Sequence, residues 1–178
     1  IPTNLISITD GQIVLDSDLF NKNVKPAVDV GLSVSRVGGA AQTSAMRKVA
    51  GEVRLELAQY AELARFARFG TDLEEHTQRQ IERGRRLQNL LTQPAHQPMS
   101  LARQVLVLYA AGTGRFDQVE PGKARAHEEK MLDYIEDHHG ELLSTIDKEG
   151  KLNAPIKAAL EKALDAFDNR PKAGESSR

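Results

Sequence analysis

The chain has 178 residues, 40% of them hydrophobic, and 24 basic against 25 acidic side chains give a formal net charge of −1; this suffices for one sizeable core or two small units sharing an interface. Near-neutral charge, with no Lys or Arg cluster interleaved with aromatics, excludes the electrostatic footprint of a nucleic-acid binder. The absence of cysteine excludes disulfides, thiolate catalysis and thiolate metal sites, and is compatible with a reducing compartment.

Residues 1 to about 44 carry short extended segments broken by turn signals. Leu5, Ser7 and Thr9 alternate with Ile6 and Ile8, and Asp10-Gly11 then turns into Ile13-Val14-Leu15, so strand is expected here. Asp18 to Lys22 suits one helical turn before Pro26, and Gly31, Gly38 and Gly39 mark a loop built on sheet edges. The chain opens on Ile1 and enters this pattern at once, with no charged leader or cleavage site, which suggests a fragment or a processed chain.

From about Thr43 the period becomes helical. Met46, Val49, Ala50, Val53, Leu57, Tyr60, Ala64 and Ala67 share one face of a long helix that bridges two units. Gly51 inside it costs roughly 1 kcal/mol relative to Ala, which points to close packing, and Gly70 is a natural stop. A capping box, Thr71 with Glu74, opens a second helix running to about Leu91. Gln93-Pro94 and Gln97-Pro98 break the chain, and Ser100 caps a third helix that ends at Gly112 and Gly114. Its apolar run, residues 105 to 111, is about a third of the roughly 20 residues that span a bilayer. No direct membrane insertion is expected.

Pro121 suits the first turn of a fourth helix that continues to His138-His139-Gly140, and Leu142, Leu143 and Ile146 make a short fifth element. Ile156, Leu160, Ala163, Leu164 and Phe167 form a final amphipathic stripe, after which residues 170 to 178 are expected to be disordered. With few aromatics and no Trp, the fold class is mainly α: a helical bundle preceded by a few strands and loops. No fixed-period repeat is present.

Chemistry-bearing motifs are sparse. His76, His96 and His127 are isolated, adjacent His138 and His139 diverge on a helix, and no H-E-x-x-H occurs, so the histidines are read as solvated and no metal site is expected. Acidic groups such as Asp72/Glu74/Glu75 and Glu128/Glu129 are read as solvating charges on helix starts and faces rather than as acid–base pairs. Ser33 and Ser35 lack a G-x-S-x-G elbow, and "VGGAAQ" lacks the rest of a phosphate-binding loop, so this chain alone should hydrolyse no nucleotide. Arg36 remains. Between small hydroxyls and paired glycines it either pairs with a carboxylate such as Asp29 or reaches outward.

"IPTNLISITDGQI", "DLF" and "PAVDVGLSVSRVGGAAQ", followed by "MRKVAGEVRLELAQYAELARFARFGTDLEE", closely resemble the α subunits of F-type rotary ATP synthases, with the match extending to about residue 115 and loosening in the last helices. The resemblance implies that residues 1–44 are the terminal strands and arginine-finger loop of a P-loop-type α/β nucleotide-binding domain. Residues 45–169 are then the C-terminal helical domain, and 170–178 a tail. It implies that Arg36, supported by Ser35, is a finger aimed in trans at the nucleotide of a neighbouring β subunit. Lys25, Pro26 and Gln93 match the surroundings of an adenine in a non-catalytic site whose P-loop lies upstream. Ala95 stands where the family has a second Gln, and Gln97 is the substitute at hand. "FGTDLEE", residues 69–75, matches an acidic turn facing the central stalk.

The implied partners are β subunits, the γ central stalk and peripheral-stalk subunits, and the implied cofactor is ATP or ADP with Mg2+ in the full-length subunit, none for the fragment alone. The implied setting is peripheral to a membrane, on the cytoplasmic side in bacteria or the matrix or stroma side in organelles. Two other readings stay open: a stand-alone helical interaction module, and a subunit of a V-type or protein-export ATPase.

Overall fold

In the computed structural model, residues 2–67 and 74–170 are described. The Leu- and Ala-rich stretch from residue 44 onwards forms five helices: α3 (Ser44–Ala67), α4 (Glu75–Leu90), α5 (Leu101–Gly112), α6 (Ala124–Glu149) and α7 (Ala154–Asp168). They are preceded by α1 (Pro2–Ile8), α2 (Ser17–Asn21) and a two-stranded antiparallel ribbon, β1 (Gly11–Gln12) with β2 (Val34–Ser35), in which Gly11 faces Ser35. The chain is mainly α, as its composition predicts.

The strand expected over residues 5 to 9 is instead helical as far as Ile8, with Thr9 in the bend that follows. The alternating segment finds no partner strand among the described residues, and a helix satisfies its backbone locally. Leu5, Ile6 and Ile8 consequently remain exposed, Ile8 at 78%. The segment at Ile13-Val14-Leu15 contributes only a bridge between Leu15 and Val28. At the ribbon, a side chain on Gly11 (φ 144°) would run into the Val34 carbonyl, so glycine is required there.

The core lies in the helical part. Helix α5 is its centre: Ala102, Val105, Leu106, Val107, Ala110 and Ala111 are buried between α3 and α6. The Ser100 hydroxyl accepts from the Arg103 amide at 3.3 Å as predicted, and the Asp147 carboxylate accepts from the Ala102 amide at 2.6 Å, so two acceptors cap the start of α5. Asn153 caps α7 by accepting from the Ile156 amide at 3.0 Å. The left-handed Gly150 (φ 59°) ends α6, and its carbonyl accepts from the Ala45 amide at 3.0 Å, tying the start of α3 to the α6–α7 turn.

Several sequence expectations need correction. The fourth and fifth helices are one element, α6, with a kink at His139 (φ −139°, ψ 29°) where a break was expected. Gly51 has open space around it, because it lies on the exposed face of α3. The glycine that permits close packing is Gly84 on α4, where an added Cβ would overlap Cβ and Cγ of Tyr60 on α3. Gly84→Ala is therefore expected to destabilise the bundle by about 1–3 kcal/mol by overpacking, partly offset by the better helix propensity of Ala. Urea unfolding checks this; an unchanged midpoint would mean that Tyr60 can swing aside.

Thr71 of the expected capping box, Gly70 and most of "FGTDLEE" lie outside the described residues, as does the 171–178 tail. Glu74 occupies the N-cap position of α4 without a side-chain cap bond, and Glu75 pairs with Arg79 one turn on.

Candidate functional site

Two places collect the residues that the sequence singles out. The first is the loop after β2. Ser35 Oγ accepts from the Gly38 amide at 2.9 Å and so shapes the turn behind Arg36. The Arg36 amide donates to the Asp10 carbonyl at 2.6 Å, and its Nη2 donates to the carbonyls of Ser7 (2.8 Å) and Thr9 (2.6 Å) at the end of α1. A cation at the negative end of a helix is favourably placed. The pairing with Asp29 does not occur: the Asp29 carboxylate accepts from the amides of Gly31 (2.8 Å) and Leu32 (2.9 Å), closing its own turn. Among the described residues no carboxylate pairs with the exposed Arg36 guanidinium.

The second place is an open cleft of about 920 Å³ between the N-terminal segment and the loop joining α4 to α5. Lys25, Pro26, Gln93, Ala95 and Gln97 all line it. Residues distant in sequence meet because the Gln93 amide donates to the Lys25 carbonyl at 2.7 Å, while the Gln93 side-chain amide donates to the Gln97 carbonyl at 2.6 Å. Lys25 Nζ sits 4.8 Å from the Phe20 ring centre, a cation–π contact that holds the ammonium at the rim. Two non-glycine residues of the cleft, Asn23 and His96, adopt left-handed backbone (φ 61° each), a conformation in which Asn and His are over-represented.

Sequence reasoning missed the wall of this cleft. Arg125 and Glu129 of α6 line it, with Asn89 and Thr92 from the end of α4. The Asn89 amide oxygen is buried without a hydrogen-bond partner, an acceptor that a donor on an entering ligand would satisfy. Behind the wall Glu128 is wholly buried, its carboxylate 3.2 Å from Arg125 Nη1, so the Glu128/Glu129 pair is not simply a solvated face. The i, i+3, i+4 spacing of Arg125, Glu128 and Glu129 was the available signal. His127 likewise is no solvated histidine: its ring meets Phe116 and Phe167 edge-on, at 5.4 and 5.3 Å between centres. No group of three or more metal-ligating side chains occurs among the described residues, and none of their helices is long and apolar enough to cross a membrane.

Burial pushes the Glu128 carboxyl up to about 7, against the smaller opposing pull of Arg125. Because the folded value lies above the unfolded one near 4.5, the native state holds a proton that the unfolded chain has lost between those pH values. The associated stabilisation is complete below 4.5 and lost as pH rises through about 7. The difference corresponds to roughly 3 kcal/mol. Glu128→Gln is expected to remove this part of the pH dependence, so that between pH 5 and 8 the variant loses about 2–3 kcal/mol less than the parent chain. Urea unfolding at the two pH values measures it, and parallel slopes would refute the assignment.

The cleft draws on two matched family segments, and Arg36 lies just past the end of the first in chain order. The family model for the ATP synthase alpha/beta chain, C terminal domain, matches residues 42–167, and that for the ATP synthase alpha/beta family, nucleotide-binding domain, matches residues 1–35. ATP synthase subunit alpha of Halorhodospira halophila is 51% identical over 167 residues, 94% of this chain and 33% of the relative. ATP synthase subunit alpha 1 of Methylococcus capsulatus is 50% identical with the same coverage, and subunit alpha of Parafrankia sp. is 50% identical over 94% of this chain and 30% of its own length. The chain thus spans about a third of the length of the curated relatives it matches. With a family match over most of its length and near-50% identity to these relatives, this chain belongs to the ATP synthase alpha/beta family, and its similarity within that family is to alpha subunits.

Proposed function

We propose that the chain forms the C-terminal part of the α subunit of a rotary, proton-translocating F-type ATP synthase, with two tasks. Residues 1–44 complete a nucleotide-binding domain and present Arg36 to the catalytic site of an adjacent β subunit; residues 45–169 form a helical domain around the central γ stalk. The observation that carries the first task is the exposed guanidinium of Arg36 on a loop shaped by Ser35, with no carboxylate to neutralise it among the described residues. A planar cation with fixed donors suits phosphoryl oxygens on which charge develops.

The cleft at Lys25, Pro26 and Gln93 is the adenine end of a non-catalytic nucleotide site, with ATP or ADP and Mg2+ held further upstream by a P-loop. Its fit rests on amide groups able to hydrogen-bond a base edge, the unpartnered Asn89 oxygen, and Gln97 beside the position held by Ala95. The reaction belongs to the complex, with β subunits, γ and peripheral-stalk subunits, peripheral to the membrane. The test is steady-state ATP hydrolysis by the assembled complex carrying Arg36→Ala, with native mass spectrometry to establish that assembly is intact.

A further inference from the structure

Helix α6 contributes Arg125 and Glu129 to the wall of the cleft, and Arg125 is the one that ties this wall to the rim loop. Arg125 Nη1 donates to the Thr92 carbonyl at 3.1 Å, immediately before Gln93, and lies 3.2 Å from the Glu128 carboxylate. Arg125 Nε lies 3.4 Å from Glu129, which is exposed where Glu128 is buried. One guanidinium therefore joins the backbone of the rim loop to a buried carboxylate and a solvated one. The loop is also tied by the Gln93 amide to Lys25, by Gln93 to Gln97 within the loop itself, and at Thr92 to the end of α4, where its amide donates to the Asn89 carbonyl and its hydroxyl to the Gln88 carbonyl; Arg125 adds the tie to α6.

We propose that Arg125 is a positioning residue for the cleft, and that buried Glu128, when ionised, pins its guanidinium against the Thr92 carbonyl so that the 92–98 rim is held in its binding geometry. A buried carboxylate without its counter-charge is costly, so ionised Glu128 cannot release Arg125. Neutral Glu128 makes no such demand and leaves Arg125 free to follow the solvated Glu129. The charged groups acting on Glu128 are Arg125 and Glu129 from α6 and Arg103 from α5, and Arg103 is itself paired with Glu136 at 3.2 Å. Asn89 and Thr92, which line the cleft with Arg125, are not titratable. With the Glu128 carboxyl pushed up to about 7, the rim tightens as pH rises across neutrality. The effect on ligand affinity rests on the nucleotide reading of the cleft; the effect on the loop does not.

Hydrogen exchange in the intact subunit separates the two. Corrected for intrinsic rates, the amides of Thr92, Gln93, Ala95, His96 and Gln97 in the parent protein are expected to gain about 10-fold protection between pH 6 and 8. Glu128→Gln holds them at the weakly protected level at both pH values. Arg125→Ala does the same, Arg125→Lys restores part of the gain, and α5 and α7 stay protected in all variants. His96, a second titratable group on the rim, is controlled by His96→Gln, which keeps the pH response. A flat profile in the parent, a response that survives in Glu128→Gln, or one lost in His96→Gln overturns the proposal. ADP affinity, followed by equilibrium dialysis on the intact α subunit without β, is expected to fall severalfold in Arg125→Ala. Absence of ADP binding in the parent would refute the nucleotide reading alone, since the exchange profile is judged without ligand.

Discussion

Replacing Arg36 by alanine is expected to lower steady-state ATP hydrolysis by the assembled complex by about 10³- to 10⁵-fold. The side chain is exposed and its donors rest on two neutral carbonyls, those of Ser7 and Thr9. A charge-assisted hydrogen bond to a phosphoryl oxygen is roughly twice as strong as one to a neutral acceptor, so a neighbouring nucleotide can draw the guanidinium away from them. Truncating an exposed side chain of this kind should alter folding stability by about 0.5 kcal/mol or less, leaving assembly intact. The loss should fall on kcat with little change in KM, because the interaction develops with charge in the transition state. Arg36→Lys should recover little, since a point charge lacks the guanidinium fork. Near-normal turnover by an intact Arg36→Ala complex would refute the finger and reduce Arg36 to a cap on α1.

What the sequence made legible follows the range of the forces involved. The apolar stripes of α3, α5 and α7 and the cap at Ser100 depend on neighbours within a few residues, and the helical class was accordingly readable from spacing. The N-terminal segment was misread because alternation at Leu5 to Thr9 promises a strand only where another strand is available to pair with it; local hydrogen bonding prevails in its absence. Gly51 and Gly84 show the same limit. Both are helix-interior glycines, and only the approach of Tyr60 from another helix distinguishes them. At the cleft, the resemblance to a known family brings Lys25, Pro26 and Gln93 to attention, whereas Glu128 reads as a solvating charge and Arg125 carries no motif of its own. Charge patterning along α6 shows that they share a face, but whether that face is wet depends on α4 and α5.

The largest expected stability effect lies at Phe167, near the end of α7. Its side chain is 1% exposed and packs against His127 and Tyr134, with ring centres at 5.3 and 5.7 Å, while the Arg170 guanidinium sits 3.4 Å above the ring. Phe167→Ala is expected to cost about 3–5 kcal/mol, combining lost burial with the cavity left beside His127 and Tyr134. The ion cluster alongside, Arg115 with Glu161 (2.6 Å), Asp165 (2.7 Å) and Asp168 (2.8 Å), also joins α7 to the end of α5. It lies partly in solvent and offsets little of the loss.

A second readout distinguishes a cavity from a general loosening. Burial, and then the Arg170 charge, hold the His127 imidazole below its usual range. Its native state therefore favours the neutral ring: that stabilisation is complete above about 6.5 and is lost as pH falls through the lower native value. Removing the Phe167 ring admits water beside His127, so its titration should move back toward 6.5 and the acid-side loss of stability should shrink. Histidine NMR titration and urea unfolding at pH 5.5 and 7.5 follow both. Phe167→Leu, which keeps most of the volume, should cost under about 1.5 kcal/mol and leave His127 depressed. A Phe167→Ala loss below 1 kcal/mol with His127 unmoved would show that α7 collapses onto α6 without the ring, and that the helical core is held chiefly by α5.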